Sequence, residues 1–250
     1  MERNNDNNGV IYGKNAVLEF LKSGRKVDTL YISADETEKQ AGYYTALAKD
    51  AGAVVKRIPQ NKLFNICGSN HHQGIAALCS IVDYCQTQDI LDIAANRGEA
   101  PFIIMTDGMS DPHNLGAVIR TAAAAGAHGV IIPKRGAAGV TPTVHHVSAG
   151  AVNHIAIARV TNLSASVREL KKIGIFCFAA DMSGQSAYET DMRGPVLLII
   201  GSEGFGVSRL LKELSDFSVS LPMTSGAGSL NASVAAGALI YEIVRQRSIK

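Results

Sequence analysis

Short apolar runs alternate with polar, helix-periodic stretches along the first third of the chain. The pattern predicts a helix from Lys14 to Leu21, a strand from Thr29 to Ser33 and a helix from Glu36 to Asp50. A strand from Ala53 to Ile58, a short helix from Gln60 to Ile66 and a strand from Gly74 to Ile81 follow, each bounded by Gly, Pro or Asp signals. These elements predict a small α/β unit over residues 10–84. Residues 1–9 are polar and asparagine-rich and predict a disordered tail. Residues 85–100 turn polar around the short apolar stretch Ile90 to Ala95, which reads as a linker carrying one helical turn. From residue 101 the apolar runs have buried-strand length: Phe102 to Thr106, Val130 to Pro133, Ile155 to Val160, Ile175 to Ala180, Val196 to Ile200 and Phe217 to Leu221. Helical segments separate several of them. That is the signature of a parallel sheet covered on both faces, so residues 101–250 are expected to form an α/β domain.

Composition narrows the picture. With 250 residues, 46% of them apolar, the chain can bury a full core, and no apolar run approaches the length of a membrane span. The expectation is a soluble, cytoplasmic protein. Its 24 basic and 22 acidic side chains leave a net charge of only +2, so a nucleic-acid partner would be held by a local basic patch rather than by the overall field. Cys67, Cys79, Cys85 and Cys177 form no CxxC pair, and the His71–His72 pair between two of them fits no regular zinc spacing; no metal is expected.

Three stretches of the second domain carry chemistry. The first, Asp107 to Gly126, leaves a strand, turns at Asp111–Pro112 and enters a helix that Asn114 could cap and Gly126 would close. Small residues surround Arg120 there, so its guanidinium calls for an anionic partner; a salt bridge or a plain surface arginine is the simpler reading. The second, Leu197 to Ser208, runs from a strand into the glycine turn Gly201-Ser-Glu203-Gly204-Phe-Gly206. A tight turn explains the glycines but not Glu203, which is the candidate partner for Arg120. The glycine order does not match a dinucleotide-binding fingerprint. The third, Ser220 to Ala236, leads from a strand through a glycine loop to a helix that Ser229 or Asn231 could cap. Three such turns at the carboxyl ends of strands predict a ligand pocket.

In order and spacing, Asn114 to Gly126, Leu198 to Gly206 and Leu221 to Ala236 resemble the three signature motifs of the SpoU-type (TrmH-type) RNA ribose 2′-O-methyltransferases of the SPOUT class. The part from Ile11-Tyr-Gly-Lys-Asn-Ala-Val onward resembles the small L30e-like substrate-binding domain of one branch of that family. That branch includes the bacterial large-subunit ribosomal RNA guanosine 2′-O-methyltransferase. The resemblance implies a trefoil knot in the catalytic domain, S-adenosylmethionine as donor, S-adenosylhomocysteine as product, and a homodimer with the active site at its interface. It implies that the donor lies against Gly201, Gly204, Leu221 and Leu230, with the turn after Ala180 as a further wall. It also assigns Asn114, Arg120, Glu203, Ser229 and Asn231 to the active-site polar positions.

Methyl transfer to a ribose oxygen is an in-line displacement that needs positioning more than acid–base power, and no metal. The family's proposed base matches Arg120. A guanidinium with a pKa above about 12 is an awkward base, so a second role stays open: a clamp on the adjacent phosphate, with Glu203 orienting it in both versions. The expected substrate is large-subunit ribosomal RNA. Transfer RNA or another ribosomal site is the alternative, and a non-catalytic RNA-binding protein of the same fold is the remote one. Lys14, Lys22, Arg25, Lys26, Lys56, Arg57 and Lys62 are the expected phosphate contacts of the first domain, and His145–His146 a loop that meets RNA or the partner subunit.

Overall fold

The computed structural model describes residues 9–23, 27–79, 82–223 and 229–249. The tail expected over residues 1–9 lies, but for Gly9, outside the described residues, as do Arg25 and Lys26. Two compact units are present, one reaching Asp83 and the other comprising 84–139 and 143–250.

The first unit holds β1 (Val10–Tyr12), α1 (Lys14–Lys22), β2 (Val27–Ser33), α2 (Glu38–Asp50), β3 (Val54–Ile58), α3 (Gln60–Cys67) and β4 (Ile75–Cys79). Its sheet runs β1-β4-β2-β3, antiparallel except for the β2–β3 pair. Strand β1 was not expected, because three residues are too few to display an alternation. Helix α2 starts two residues later than its apolar pattern suggested: the Thr37 hydroxyl accepts the Gln40 N–H and fixes the start there. Val17 and Leu21 of α1 and Ala41, Tyr44 and Ala48 of α2, at helical spacing, close over Leu30 and Ile32 of β2.

The second unit opens on a helix where a linker was expected. Residues read as a linker form the three-turn helix α4 (Thr87–Arg97), started by a reciprocal cap in which the Gln86 N–H donates to Asp89 at 2.7 Å. Ile90 and Ala94, four apart, bury that helix's apolar edge, and Ile90 occupies the space a side chain at Gly129 would need. The polar residues around them are simply its solvent face.

Strands β5 (Phe102–Thr106), β6 (Gly129–Pro133), β7 (Ala156–Val160), β8 (Phe176–Ser186), β9 (Val196–Ile200) and β10 (Phe217–Ser220) form one sheet in the order β10-β8-β9-β5-β6-β7, and every pairing is parallel. All residues of β5, β6 and β9 are buried, which is why those strands read as unbroken apolar runs. Helices α5 (Pro112–Ala124), α6 (Pro142–Val147), α7 (Leu163–Lys172), α8 (Arg209–Leu214) and α9 (Ala232–Ser248) complete the unit. His145 and His146 lie on α6, not in a loop. Successive strands β5, β6 and β7 build outward on one side, then β8, β9 and β10 fill the other. The sheet therefore has its topological switch between β5 and β9, the place where open α/β sheets collect ligands.

Strand β8 continues past Ala180 because β10 pairs with it twice. The register jumps from Ala179 opposite Ser218 to Gln185 opposite Val219, so residues 180–184 bow out. Glycine is required at Gly184: a Cβ there would stand 2.4 Å from the Ser218 carbonyl carbon.

Candidate active site

A cavity of about 240 Å³, open to solvent, lies at the carboxyl ends of β8, β9 and β10. The bowed segment supplies Ala180, Asp181 and Met182; the turn after β9 supplies Gly201 to Gly206; the chain between β10 and α9 supplies Leu221 and Leu230. All five residues expected to hold a donor (Gly201, Gly204, Leu221, Leu230 and Ala180) thus line one space, together with Glu203 and Ser229. The glycine loop at 224–228 lies outside the described residues.

The turn after β9 is a closed hairpin. Ser202 N–H donates to the Gly206 carbonyl at 3.2 Å and Gly206 N–H returns a bond at 2.9 Å. That folds the loop back over Gly201, where a Cβ would sit 1.9 Å from the Gly206 carbonyl carbon, so only glycine can stand there. Gly204 and Gly206 both take positive φ, 86° and 66°.

Three distant residues meet beside this hairpin. Asn231 caps α9, its side-chain oxygen accepting the N–H groups of Ser233 at 2.9 Å and Val234 at 3.3 Å. Its amide nitrogen donates to the Asn114 side-chain oxygen at 3.0 Å, and the Asn114 amide nitrogen donates to the Glu203 carboxylate at 3.3 Å. One polar chain therefore links the loops after β5, β9 and β10. Two expectations are corrected here. Asn114 does not cap α5: Asp111 accepts the His113 N–H at 2.9 Å, Pro112 follows as a first helical residue, and the buried Asn114 side chain is left free to bridge. Nor does Glu203 pair with Arg120. Arg120 stands six residues beyond Asn114, about 120° around the helix axis; it is exposed, and among the described residues it makes no ion pair or side-chain hydrogen bond. Water solvates its charge, so the demand for an anionic partner falls away. Ser229 is exposed at the mouth.

Two contacts had no signal in the sequence. Lys212 of α8 reaches Asp181 at 2.5 Å, and Asp181 also accepts the Ser183 N–H and hydroxyl, each at 3.0 Å. The Lys212 ammonium and those hydrogen bonds hold the Asp181 carboxyl below the usual carboxylate range. Asp107 accepts the Ser208 N–H at 2.7 Å, tying the exit of β5 to the entry of α8. Small residues on α5 serve close packing: a Cβ on Gly116 would lie 2.8 Å from Val147. Burial pushes the Cys177 thiol up to about 12 and Cys67 up to about 11, so both are protonated at neutral pH. In the first unit, Lys14 is paired with Glu36 at 2.9 Å and Arg57 with Glu38, whereas Lys22, Lys56 and Lys62 are exposed.

Residues 101–241 match the SpoU rRNA methylase family, and residues 10–85 match the RNA 2′-O ribose methyltransferase substrate-binding domain. The chain belongs to the SpoU rRNA methylase family. A Bacillus subtilis relative, named as a TrmH family tRNA/rRNA methyltransferase (YacO), is 44% identical over 95% of this chain and 96% of its own. A similarly named protein of Staphylococcus haemolyticus is 38% identical over 95% of this chain and 96% of its own. Among solved structures, the SpoU methyltransferase AviRb of Streptomyces viridochromogenes in complex with AdoMet superposes with a TM-score of 0.60 at 26% identity, covering 98% of this chain and 94% of that one. This SpoU chain is accordingly an S-adenosylmethionine-dependent RNA methyltransferase. Its cavity is compatible with such a donor: Ile200, Leu221, Leu230 and Leu239 give it an apolar lining, and of its two carboxylates Asp181 is neutralised by Lys212 while Glu203 stands at the edge without a cationic partner among the described residues.

Proposed function

We propose that this SpoU enzyme methylates the ribose 2′-OH of one nucleotide, a guanosine, in large-subunit ribosomal RNA. The observation that carries the reading is the Asn231–Asn114–Glu203 chain. It draws the three signature stretches together at the rim of the donor cavity, where a sugar hydroxyl would have to arrive. The substrate-binding match over residues 10–85 and the resemblance to the branch acting on large-subunit RNA support the choice of substrate. The names of the relatives cover transfer RNA as well, which makes it the alternative the test must separate.

S-adenosylmethionine supplies an electrophilic methyl group to an oxygen held in line with it. The chain's own residues supply the holding. Gly201, Gly204, Leu221, Leu230 and Ala180 wall the donor, while Asn114 and Asn231 fix Glu203 at the rim and Ser229 stands beside it. Holding two reactants in line is worth up to about 7–11 kcal/mol of barrier. Arg120 acts on the incoming nucleotide as proton acceptor or as phosphate clamp. The outer face of α9 exposes Val234 and Tyr241, and α5 packs beside that helix with Arg120 exposed. That face supports a homodimer, and pairing across it brings Arg120 to a site that its own helix turns it away from. The family's trefoil knot and a cytoplasmic location belong to the same reading.

The test is transfer of labelled methyl from S-adenosylmethionine to protein-free large-subunit ribosomal RNA and, separately, to bulk transfer RNA, followed by mapping of the modified ribose. A single labelled guanosine in the ribosomal RNA is expected. Label in transfer RNA alone replaces the substrate, and label in neither overturns the proposal. Sedimentation of the same preparation checks the dimer.

A further inference from the structure

Phe205 stands at the tip of the hairpin after β9, 92% exposed, on the wall of the donor cavity. A lone exposed aromatic says little by itself. This one is held there by construction. The Ser202–Gly206 hydrogen bonds close the loop on both sides of it, the positive-φ glycines Gly204 and Gly206 flank it, and Gly201 is fixed beneath by the Gly206 backbone. Phe205 is also the one aromatic side chain among the described residues that line this cavity, in a chain without tryptophan. Met182, Met223 and Leu230, each at least 40% exposed, continue an apolar rim from it.

We infer that the Phe205 ring is the stacking platform for the base of the nucleotide being methylated. The inference rests on the ribose-methylation reading above. A ribose brought to the rim beside Glu203 carries its base only one glycosidic bond away, and Phe205 is two residues from Glu203 on the same closed loop. An unstacked base has two apolar faces to cover, and proteins that read single-stranded RNA cover them with aromatic rings. Phe205 is thus a positioning residue: it holds the base, and through it sets the sugar against the donor.

The experiment compares the full-length chain with Phe205→Ala, Phe205→Leu and Phe205→Trp, using labelled S-adenosylmethionine with protein-free large-subunit ribosomal RNA and with bulk transfer RNA. Loss of one base–aromatic stack predicts a rise in KM for the RNA of about 5- to 150-fold in Phe205→Ala. Phe205→Leu, apolar but without a π-face, is expected to share that defect, and Phe205→Trp to restore the KM. Donor affinity by calorimetry and sedimentation mass should stay at the unaltered chain's values in all three. A leucine variant as good as phenylalanine overturns the stacking role. Weakened donor affinity in Phe205→Ala assigns the ring to the cofactor's adenine instead, and a changed mass assigns it to a subunit contact; either overturns the inference. If the unaltered chain methylates neither RNA, the ribose-methylation reading itself falls. Transfer by the unaltered chain with no KM change in Phe205→Ala removes Phe205 alone.

Discussion

Replacing Asn114 by aspartate changes one group and almost no volume, and it sets two carboxylates face to face. The Asn114 amide nitrogen now donates to Glu203 at 3.3 Å. An oxygen in its place repels with about 1 kcal/mol at the dielectric of water and about 5 kcal/mol at an effective value of 20. Asn114 is 6% exposed while Glu203 is open to solvent and can swing away, so the lower end applies. Adding the lost hydrogen bond gives a cost of about 2 kcal/mol, or about 4–8 °C in melting temperature for a domain of this size. The decisive control is Asn114→Asp combined with Glu203→Gln. Glutamine at 203 can donate to the new carboxylate, whose second oxygen still accepts from Asn231, so the bridge is rebuilt with its polarity reversed. Calorimetric melting of the four chains forms a double-mutant cycle, and the combined variant should melt within about 2 °C of the native chain. If Asn114→Asp and the combined variant melt together, the side chains do not interact and the bridging role of Asn114 is refuted.

Other expectations follow from the same geometry. Gly201→Ala places a Cβ 1.9 Å from the Gly206 carbonyl carbon, so the hairpin must open; calorimetric titration should show donor binding lost and the melting temperature lowered. Arg120→Ala should nearly abolish methyl transfer and leave donor affinity within a few-fold; equal activity would remove Arg120 from the mechanism. The buried His128 ring accepts the Phe102 N–H at 2.9 Å and contacts Glu99 at 3.0 Å. Burial holds it below its ordinary 6.5, against the pull of Glu99, so the unfolded chain binds the proton first. Stability is therefore full above about pH 6.5 and falls as pH drops from there toward the folded value. Melting between about pH 7.5 and 5.5 should show that slope, and His128→Asn should flatten it. Removing residues 1–83 should weaken RNA selection more than donor affinity, checked by titrating the remaining chain with both ligands.

Strands with two buried faces were legible because their apolar runs need no partner to be recognised. Helix α4 was not, since only Ile90 and Ala94 mark its buried edge amid a polar majority. The wall of the cavity was half legible. Gly201, Leu221 and Leu230 sit in recognisable strand-to-loop turns, whereas the segment after Ala180 becomes a wall only through a register jump against β10, which no local pattern encodes.

The polar partners were read least well, for a physical reason. Pairing Arg120 with Glu203 followed from charge alone, but the cost that forces a charge to find a partner exists only where water is excluded. Arg120 is in water. The side chain under that compulsion is the neutral Asn114, buried in the first turn of α5, and it satisfies its amide across 117 residues to Asn231 and 89 to Glu203. Asp111 makes this possible by taking the cap, since an asparagine engaged with its own helix could not bridge two others. A cap displaced by three residues thus separates a self-contained helix start from a junction of three loops, and burial decided which of the two this sequence makes.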